Sequence, residues 1–171
     1  MNIRLADREL KTRFGTFTEI LYYDGQRESI ALVMGEVAGA EDVLCRIHSA
    51  CIGGHVFNSA ECECADEMAA AQAAIQNEGR GIIIYLDQEG KGNGHLALIE
   101  SMNYKKEFGQ AAAYEKAGFK ADARDFRPAA EILADLRVSS VVLMTNNSAK
   151  VEDLRRSAIN VAATRTLEIQ T

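Results

Sequence analysis

The chain has 171 residues, with 19 Lys and Arg against 25 Asp and Glu for a formal charge of -6, and a pI near 5.1. Hydrophobic residues make up 47% of it and charged residues 26%, the balance of an ordinary globular domain, which excludes disordered and fibrous classes and predicts one domain over residues 1–171. The acidic excess argues against a nucleic-acid partner, because neutralising a phosphate backbone takes a concentrated surplus of cations, yet a small anionic substrate needs only a few local ones.

Charges run through the opening MNIRLADRELKTRFG, and no stretch stays apolar for the roughly eighteen residues of a membrane span, so neither a signal peptide nor a membrane anchor is expected. In the reducing, cytoplasmic setting this implies, Cys45, Cys51, Cys62 and Cys64 read as thiols or metal ligands rather than a disulfide framework.

FGTFTEILYY and ESIALVMGEV, separated by polar DGQRE, mix β-branched and aromatic residues with partial alternation and predict a hairpin or meander. VLCRIHS continues the pattern. Its period of two puts Val43, Cys45 and Ile47 on one face and Leu44, Arg46 and His48 on the other, with Cys45 directed into the core. From Asp66, ADEMAAAQAAIQNEG is rich in Ala and Gln, acidic in its first turn and closed by Gly79, which predicts a helix of about three turns. GIIIYL, apolar on both faces, predicts a buried strand; it opens into glycine-rich QEGKGNGH, after which HLALIESMNYKKEF reads as helix. In ARDFRPAAEILADL the sole proline, Pro128, sits where a first helical turn tolerates a missing N–H, and VSSVVLMT follows as a strand. TNNSAKVEDLRRSAI, opened by Asn and Ser caps, predicts another helix, and INVAATRTLEI a last strand. This order predicts an α/β fold: a three-layer mixed sheet with helices on both faces and an antiparallel β portion in the N-terminal half. Ligands of such sheets gather beyond the carboxyl ends of strands, where QEGKGNG and TNNSAK lie.

Cys51, Cys62 and Cys64 follow a C-x10-C-x-C pattern, with Gly53 and Gly54 in the loop that must double back. Three thiolates suit zinc, and three protein ligands leave a tetrahedral position for water, the arrangement of a catalytic site. His48 or His55 as a fourth ligand would make the site structural instead, and three unrelated buried cysteines fit the spacing too. Three thiolates leave the centre with about one net negative charge, so bound water needs a nearby base or cation. Arg46 and His48 are placed to help, or are merely solvated strand residues. In QEGKGNG, backbone N–H groups, a helix dipole and Lys91 can face a phosphate, although the G-x-x-x-x-G-K-[ST] pattern of a P-loop is absent and an ordinary turn reads as well. TNNSAK, with Thr145 and Lys150, has the same two readings. Asp122 and Arg124 project to one side of an extended segment, as site residues or as a surface ion pair. Met68, Met102 and Met144 read as core filling, and Tyr22 and Tyr23 as sheet residues.

RIHSACIGGHVFNSAECEC, EGRGIIIYLDQEGKGNG, GFKADARDF and LMTNNSAKVEDLRRSAINV resemble, in order and approximate spacing from Thr12 to Ile169, consecutive signatures of GTP cyclohydrolase II. The cysteine trio in its R-x-H-S-x-C setting and D-x-R-D-F are the most specific parts. The resemblance implies an enzyme that opens the imidazole ring of GTP at C8, releasing formate and pyrophosphate on the way to flavins, as a homodimer using zinc and magnesium. On that basis Cys51, Cys62 and Cys64 would hold a catalytic zinc whose water attacks C8, with Asp122 as general base. Arg46, Ile47, His48 and Ser49 match a first nucleotide-binding stretch, Glu89, Gly90 and Lys91 a second, and Thr145 and Lys150 a third; Glu67 falls at a further substrate contact. Arg124 aligns with an arginine proposed in the family as a nucleophile on the α-phosphorus, but a guanidinium that stays protonated is better suited to stabilising transition-state charge.

The departures from the family pattern are specific. Ala50 replaces a usual glutamate, Glu67 a usual glutamine, and Lys91 the arginine of Q-E-G-R, exchanging a bidentate fork for a point charge. QAAAYEKA replaces a D-T-x-E-A-N segment, which removes support for a nucleotide contact near Gln110. Met102 stands where the family generally has an active-site tyrosine, and a thioether cannot donate a phenol's hydrogen bond. The expectation is ring opening with the formyl group retained. A paralogue acting on another guanine nucleotide in a specialised pathway, or a non-catalytic zinc-containing nucleotide-binding module, are the alternatives.

Overall fold

The computed structural model describes residues 1–146 and 148–169, with the backbone alone for residues 148–150 and 153. Seven strands form one mixed sheet: β1 (Ile3–Thr12), β2 (Gly15–Tyr23), β3 (Glu28–Met34), β4 (Val43–Ser49), β5 (Gly81–Leu86), β6 (Val141–Met144) and β7 (Val161–Arg165), in the order β1-β2-β3-β5-β4-β6-β7. The first contacts, β1 to β2, β2 to β3 and β3 to β5, are antiparallel. The β4 pairings with β5 and β6, and that of β6 with β7, are parallel. The antiparallel N-terminal portion and the α/β remainder therefore share one sheet, as the element order predicts.

The helices are α1 (Ile52–His55), α2 (Cys64–Glu78), α3 (His95–Phe108), α4 (Gln110–Lys116), α5 (Arg127–Asp135) and α6 (Ser148–Arg156). They cover both faces, because β4 and β5 send alternate side chains to two separate cores. On one side Val43, Cys45, Ile47, Ile82 and Ile84 pack with Ile132 and Leu133 of α5 and Val151 and Leu154 of α6. On the other, Leu44 and Ile83 pack with Phe17, Met144 and the α2 residues Ala71 and Ile75. Cys45 is fully buried, as the alternation of VLCRIHS requires. Tyr22 is buried with its hydroxyl donating to Asp135 Oδ2 at 2.7 Å, whereas Tyr23 is partly exposed.

Besides the one-turn α1, which lies where the Gly53–Gly54 loop is expected, two elements escape the sequence reading. The charged N-terminal residues form β1, an edge strand exposed over nearly its whole length; charge on an edge strand blocks pairing with other chains while masking the alternation by which strands are recognised. The segment QAAAYEK is α4, which buries Ala113 and Tyr114. A third difference is one of boundary: α2 begins at Cys64, two residues before Asp66, so the third cysteine occupies a helix's first position. Pro128 lies in the first turn of α5, as predicted.

Because β4, β5 and β6 run parallel, their carboxyl ends at Ser49, Leu86 and Met144 open on one edge of the sheet. The segments leaving that edge carry Cys51, Cys62, Glu89, Gly90, Lys91 and Thr145, and the last residues of β4 are Arg46, Ile47, His48 and Ser49.

Candidate functional site

The Sγ atoms of Cys51, Cys62 and Cys64 all lie within 4.8 Å of one another, with Cys51 and Cys62 3.6 Å apart. Gly54 makes this convergence possible. A Cβ there would stand 2.9 Å from Cys62 Sγ and 3.1 Å from Cys64 Cβ, and its N–H donates to Cys51 Sγ at 3.4 Å. Burial, then the neighbouring sulfurs, push the Cys64 thiol far above its usual range, and burial raises Cys51 too. Three sulfurs this close cannot all ionise without a cation, so the chemistry of the donor set fits a thiophilic divalent metal.

The sulfur trio is the one potential ligand group found among the described residues, and no imidazole belongs to it. His48 and His55 face each other instead, Nε2 to Nε2 at 3.0 Å. Tyr85, paired with His48 across β4 and β5, stacks on the His48 ring at 6.3 Å. The closed arrangement with a histidine ligand is thus not what the side chains adopt, and the cysteines are not unrelated. Nor are Arg46 and His48 solvated: they are 6% and 2% exposed.

Arg46 donates to the Met144 carbonyl at the end of β6 at 3.1 Å and to Glu67 Oε2 in the first turn of α2 at 2.7 Å. Its Nε, and Ser49 Oγ at the end of β4, are buried without a hydrogen-bond partner among the described residues. Buried polar atoms left in this way are what a polar ligand satisfies. Ile47, by contrast, is core, so it offers a ligand only its backbone. Truncation of Glu67 to alanine leaves the Arg46 charge buried and unopposed. With the Glu67 side chain 27% exposed, the expected loss is about 2 kcal/mol in equilibrium unfolding, less than for a fully buried pair, and Glu67→Gln should recover part of it.

The glycine loop after β5 is a built structure. Glu89 is buried and its Oε2 accepts from Ile52 N, the residue after Cys51, at 2.9 Å, while Oε1 lies 3.4 Å from His95 Nδ1. Glu89 therefore braces the cysteine loop against the start of α3. Gly90–Gly92 form a single 3-10 turn in which Lys91 adopts φ 54°. The Lys91 carbonyl accepts from Ala123 N at 2.9 Å, and Gln88 Oε1 accepts from Asp125 N at 3.0 Å while its Nε2 donates back to the Asp125 carbonyl. Those bonds dock the Asp122 segment onto the loop. At Gly92 (φ 82°) the fit is close enough that a Cβ would lie 2.6 Å from the Ala123 carbonyl oxygen. Gly92→Ala should move the Asp122 segment by a fraction of an ångström to an ångström, with a loss of about 100-fold in kcat and a far smaller change in Tm.

Arg124 forks Asp122 through Nε and Nη2, with Nε to Oδ1 at 2.9 Å. Burial works to raise the Asp122 pKa but is outweighed by the hydrogen bonds from Arg124 and, more weakly, by the charge of Lys91, which hold it below its ordinary value. Lys91 itself is lowered by burial. Thr145 is buried, its N–H donating to the Arg165 carbonyl at 3.0 Å; the side chain of Lys150 lies outside the described residues. Met144 and Met68 join the α2-side core, whereas Met102 is half-buried on α3 and belongs to neither core cluster. Gln88 is a site residue to which sequence reasoning gave no role: the pairing with Asp125 reveals it, and its place at the head of the glycine loop was the signal available.

Comparison with known proteins bears on the fold and the family of the chain. A solved structure of RibBX from A. baumannii, a two-domain 3,4-dihydroxy-2-butanone 4-phosphate synthase, is similar in fold at a TM-score of 0.55 and 17% identity, covering 99% of this chain and 40% of that one. The riboflavin biosynthesis protein RibBA of Bacillus cereus is 43% identical over 155 residues, 89% of this chain and 39% of the relative. That of Bacillus mycoides is 40% identical over 171 residues, 98% of this chain and 43% of the relative. The chain thus spans about two fifths of the length of these curated relatives. No helix among the described residues is long and apolar enough to cross a membrane. The family model described as GTP cyclohydrolase II matches residues 3–166, and with that match over nearly its whole length the chain belongs to the GTP cyclohydrolase II family.

Proposed function

We propose that the chain hydrolyses GTP, opening the imidazole ring at C8 and releasing pyrophosphate, with zinc at the cysteine trio and magnesium on the substrate phosphates. The observation that carries the reading is the convergence of three thiols with no fourth ligand among the described residues, near a glycine loop on which the segment bearing Asp122 and Arg124 is docked. Zinc bound there would supply Lewis-acid activation of the hydrolytic water. Asp122 takes the proton of that water, and addition of water at C8 followed by cleavage of the C8–N9 bond leaves a formylamino group on the pyrimidine. Arg124 stabilises charge on the α-phosphate as a second water adds to the α-phosphorus and the α–β anhydride breaks, leaving a monophosphate and releasing pyrophosphate and a proton to solvent. Arg46, Ser49 and Lys91 present donors to the nucleotide, the first two through atoms that otherwise stay unsatisfied. Glu67, Glu89, Gly90 and Thr145 shape the site around them. Like the RibBA proteins it resembles, the chain would serve riboflavin-type biosynthesis, as a cytoplasmic homodimeric enzyme.

The test is to incubate the zinc-loaded protein with GTP and magnesium and follow product mass, pyrophosphate and formate together. An unchanged nucleotide in the presence of bound zinc sinks the reading and favours a non-catalytic module. With Met102 in place of the family's tyrosine, the expected product keeps its formyl group, and formate appears far below the pyrophosphate released. Met102→Tyr is expected to raise formate toward stoichiometry; formate equal to pyrophosphate in the unaltered protein overturns this part alone.

A further inference from the structure

The departure from the family pattern at residues 110–117 brings a residue into the site that the hydrolytic reading does not use. Tyr114 of α4 is 1% exposed. Ser101 on α3, whose Oγ donates to the Leu98 carbonyl at 2.8 Å, lies beside the Tyr114 hydroxyl. The same hydroxyl stands 3.7 Å from where a Cβ on Gly90 would be, so the ring lies directly beneath the glycine loop. Lys91 Nζ sits over the ring at 5.5 Å from its centroid, and Asp122 and Arg124 act electrostatically on both residues.

We propose that Tyr114 is a positioning residue: a buried aromatic platform that holds the Lys91 ammonium in place for the substrate phosphates. The inference rests on the hydrolytic reading above. Its physical basis is the exchange of arginine for lysine in the loop. A guanidinium is a rigid fork, whereas an ammonium on four methylenes loses rotamer entropy when a phosphate fixes it. A ring face that attracts the cation before substrate arrives removes part of that cost from binding. Buried beneath the glycine loop, the ring is kept from turning away by its packing and presents its face to the Lys91 ammonium.

The experiment combines kinetics with an activity-independent signal. Tyr114→Leu should raise KM for GTP about tenfold with kcat little changed, while Tyr114→Phe, which keeps the ring, should restore KM to within about twofold. In a Lys91→Met background, Tyr114→Leu should add less than about twofold, because the platform has nothing left to hold. In the unaltered protein, the terminal methylene protons of Lys91, identified by their loss in Lys91→Met, should resonate upfield under the ring current and return to ordinary positions in Tyr114→Leu. Effects that multiply fully in the double variant, or an unshifted Lys91 signal in the unaltered protein, overturn the proposal. If the ring-current pattern holds but GTP is not turned over, the hydrolytic reading falls while the platform stands, and the same double-variant comparison is then made on Kd for magnesium-GTP.

Discussion

Cys62→Ser is expected to weaken metal binding and turnover together. A thiolate zinc site contributes roughly 10–16 kcal/mol of apparent binding free energy, so one ligand of four accounts for about 3 kcal/mol, or about 100-fold in zinc affinity. A serine hydroxyl at the same position stays protonated and does not replace it. Turnover should fall to background at zinc concentrations that saturate the unaltered protein, and zinc should raise the Tm of the unaltered protein but not of the variant. The acid–base behaviour of the thiols adds a second expectation. Burial and mutual proximity keep Cys51 and Cys64 protonated above the ordinary thiol range, so a metal must displace their protons as it binds. Zinc affinity should then rise steeply with pH across the neutral range, and calorimetry in buffers of different ionisation enthalpy should count two or three protons released. A pH-independent affinity, or a Cys62→Ser variant that keeps both zinc and activity, contradicts the assignment of the trio as the metal site. At Gly54 the loop tolerates no Cβ, since Cys62 Sγ and Cys64 Cβ occupy that space.

Much of this was legible from local patterns because the relevant residues sit on regular elements with clean periodicity. In VLCRIHS successive side chains take opposite faces, so Cys45 enters one core while Arg46 and His48 point to the other side, as a period of two requires. GIIIYL and HLALIESMNYKKEF become β5 and α3 without a residue's error. What stayed hidden depends on contacts between distant residues. β1 carries its charges outward as an edge strand and shows no alternation. Gln88 acquires its role only when the chain brings Asp125 beside it, 37 positions later. The mutual pairing of His48 and His55 could not be read from their spacing, which suits a metal ligand equally well, and the commitment of Glu67 to Arg46 joins a strand to a helix twenty-one residues on. Spacing names the chemistry a residue type can do; partners decide which of those chemistries its neighbours allow. The same reasoning separates the two readings of Asp122 and Arg124. They are an ion pair, as the bland reading held, but one docked on a buried glycine turn rather than free on the surface.

That docking gives Asp122→Asn the other large expected effect, a drop of about a thousandfold in kcat, the usual contribution of a positioned general base. KM should not rise, because removing a carboxylate next to a triphosphate relieves repulsion. The pH dependence distinguishes a base from a mere anchor. A base acts deprotonated, so activity is present above its pKa and lost as pH falls through it. In the free protein the Arg124 fork outweighs burial and holds Asp122 below the ordinary carboxylate range, so the acid limb of kcat/KM due to this group lies correspondingly low. The α-phosphate competes for the same guanidinium with more charge and the same bidentate geometry. Once Arg124 turns to it, the burial of Asp122 is no longer opposed and the carboxyl rises, becoming a stronger base when substrate is present to use it. The acid limb of kcat, which reports the bound complex, should therefore sit at higher pH than that of kcat/KM, which reports the free protein. Protonation of the cysteines and loss of metal at low pH affect both profiles alike, so the separation between the limbs is the readout. Arg124→Lys, which keeps the charge but not the fork, should narrow that separation by raising the free-protein limb. Coincident limbs in the unaltered protein, or an Asp122→Asn variant retaining more than a tenth of kcat, would show that the carboxylate anchors Arg124 and takes no proton.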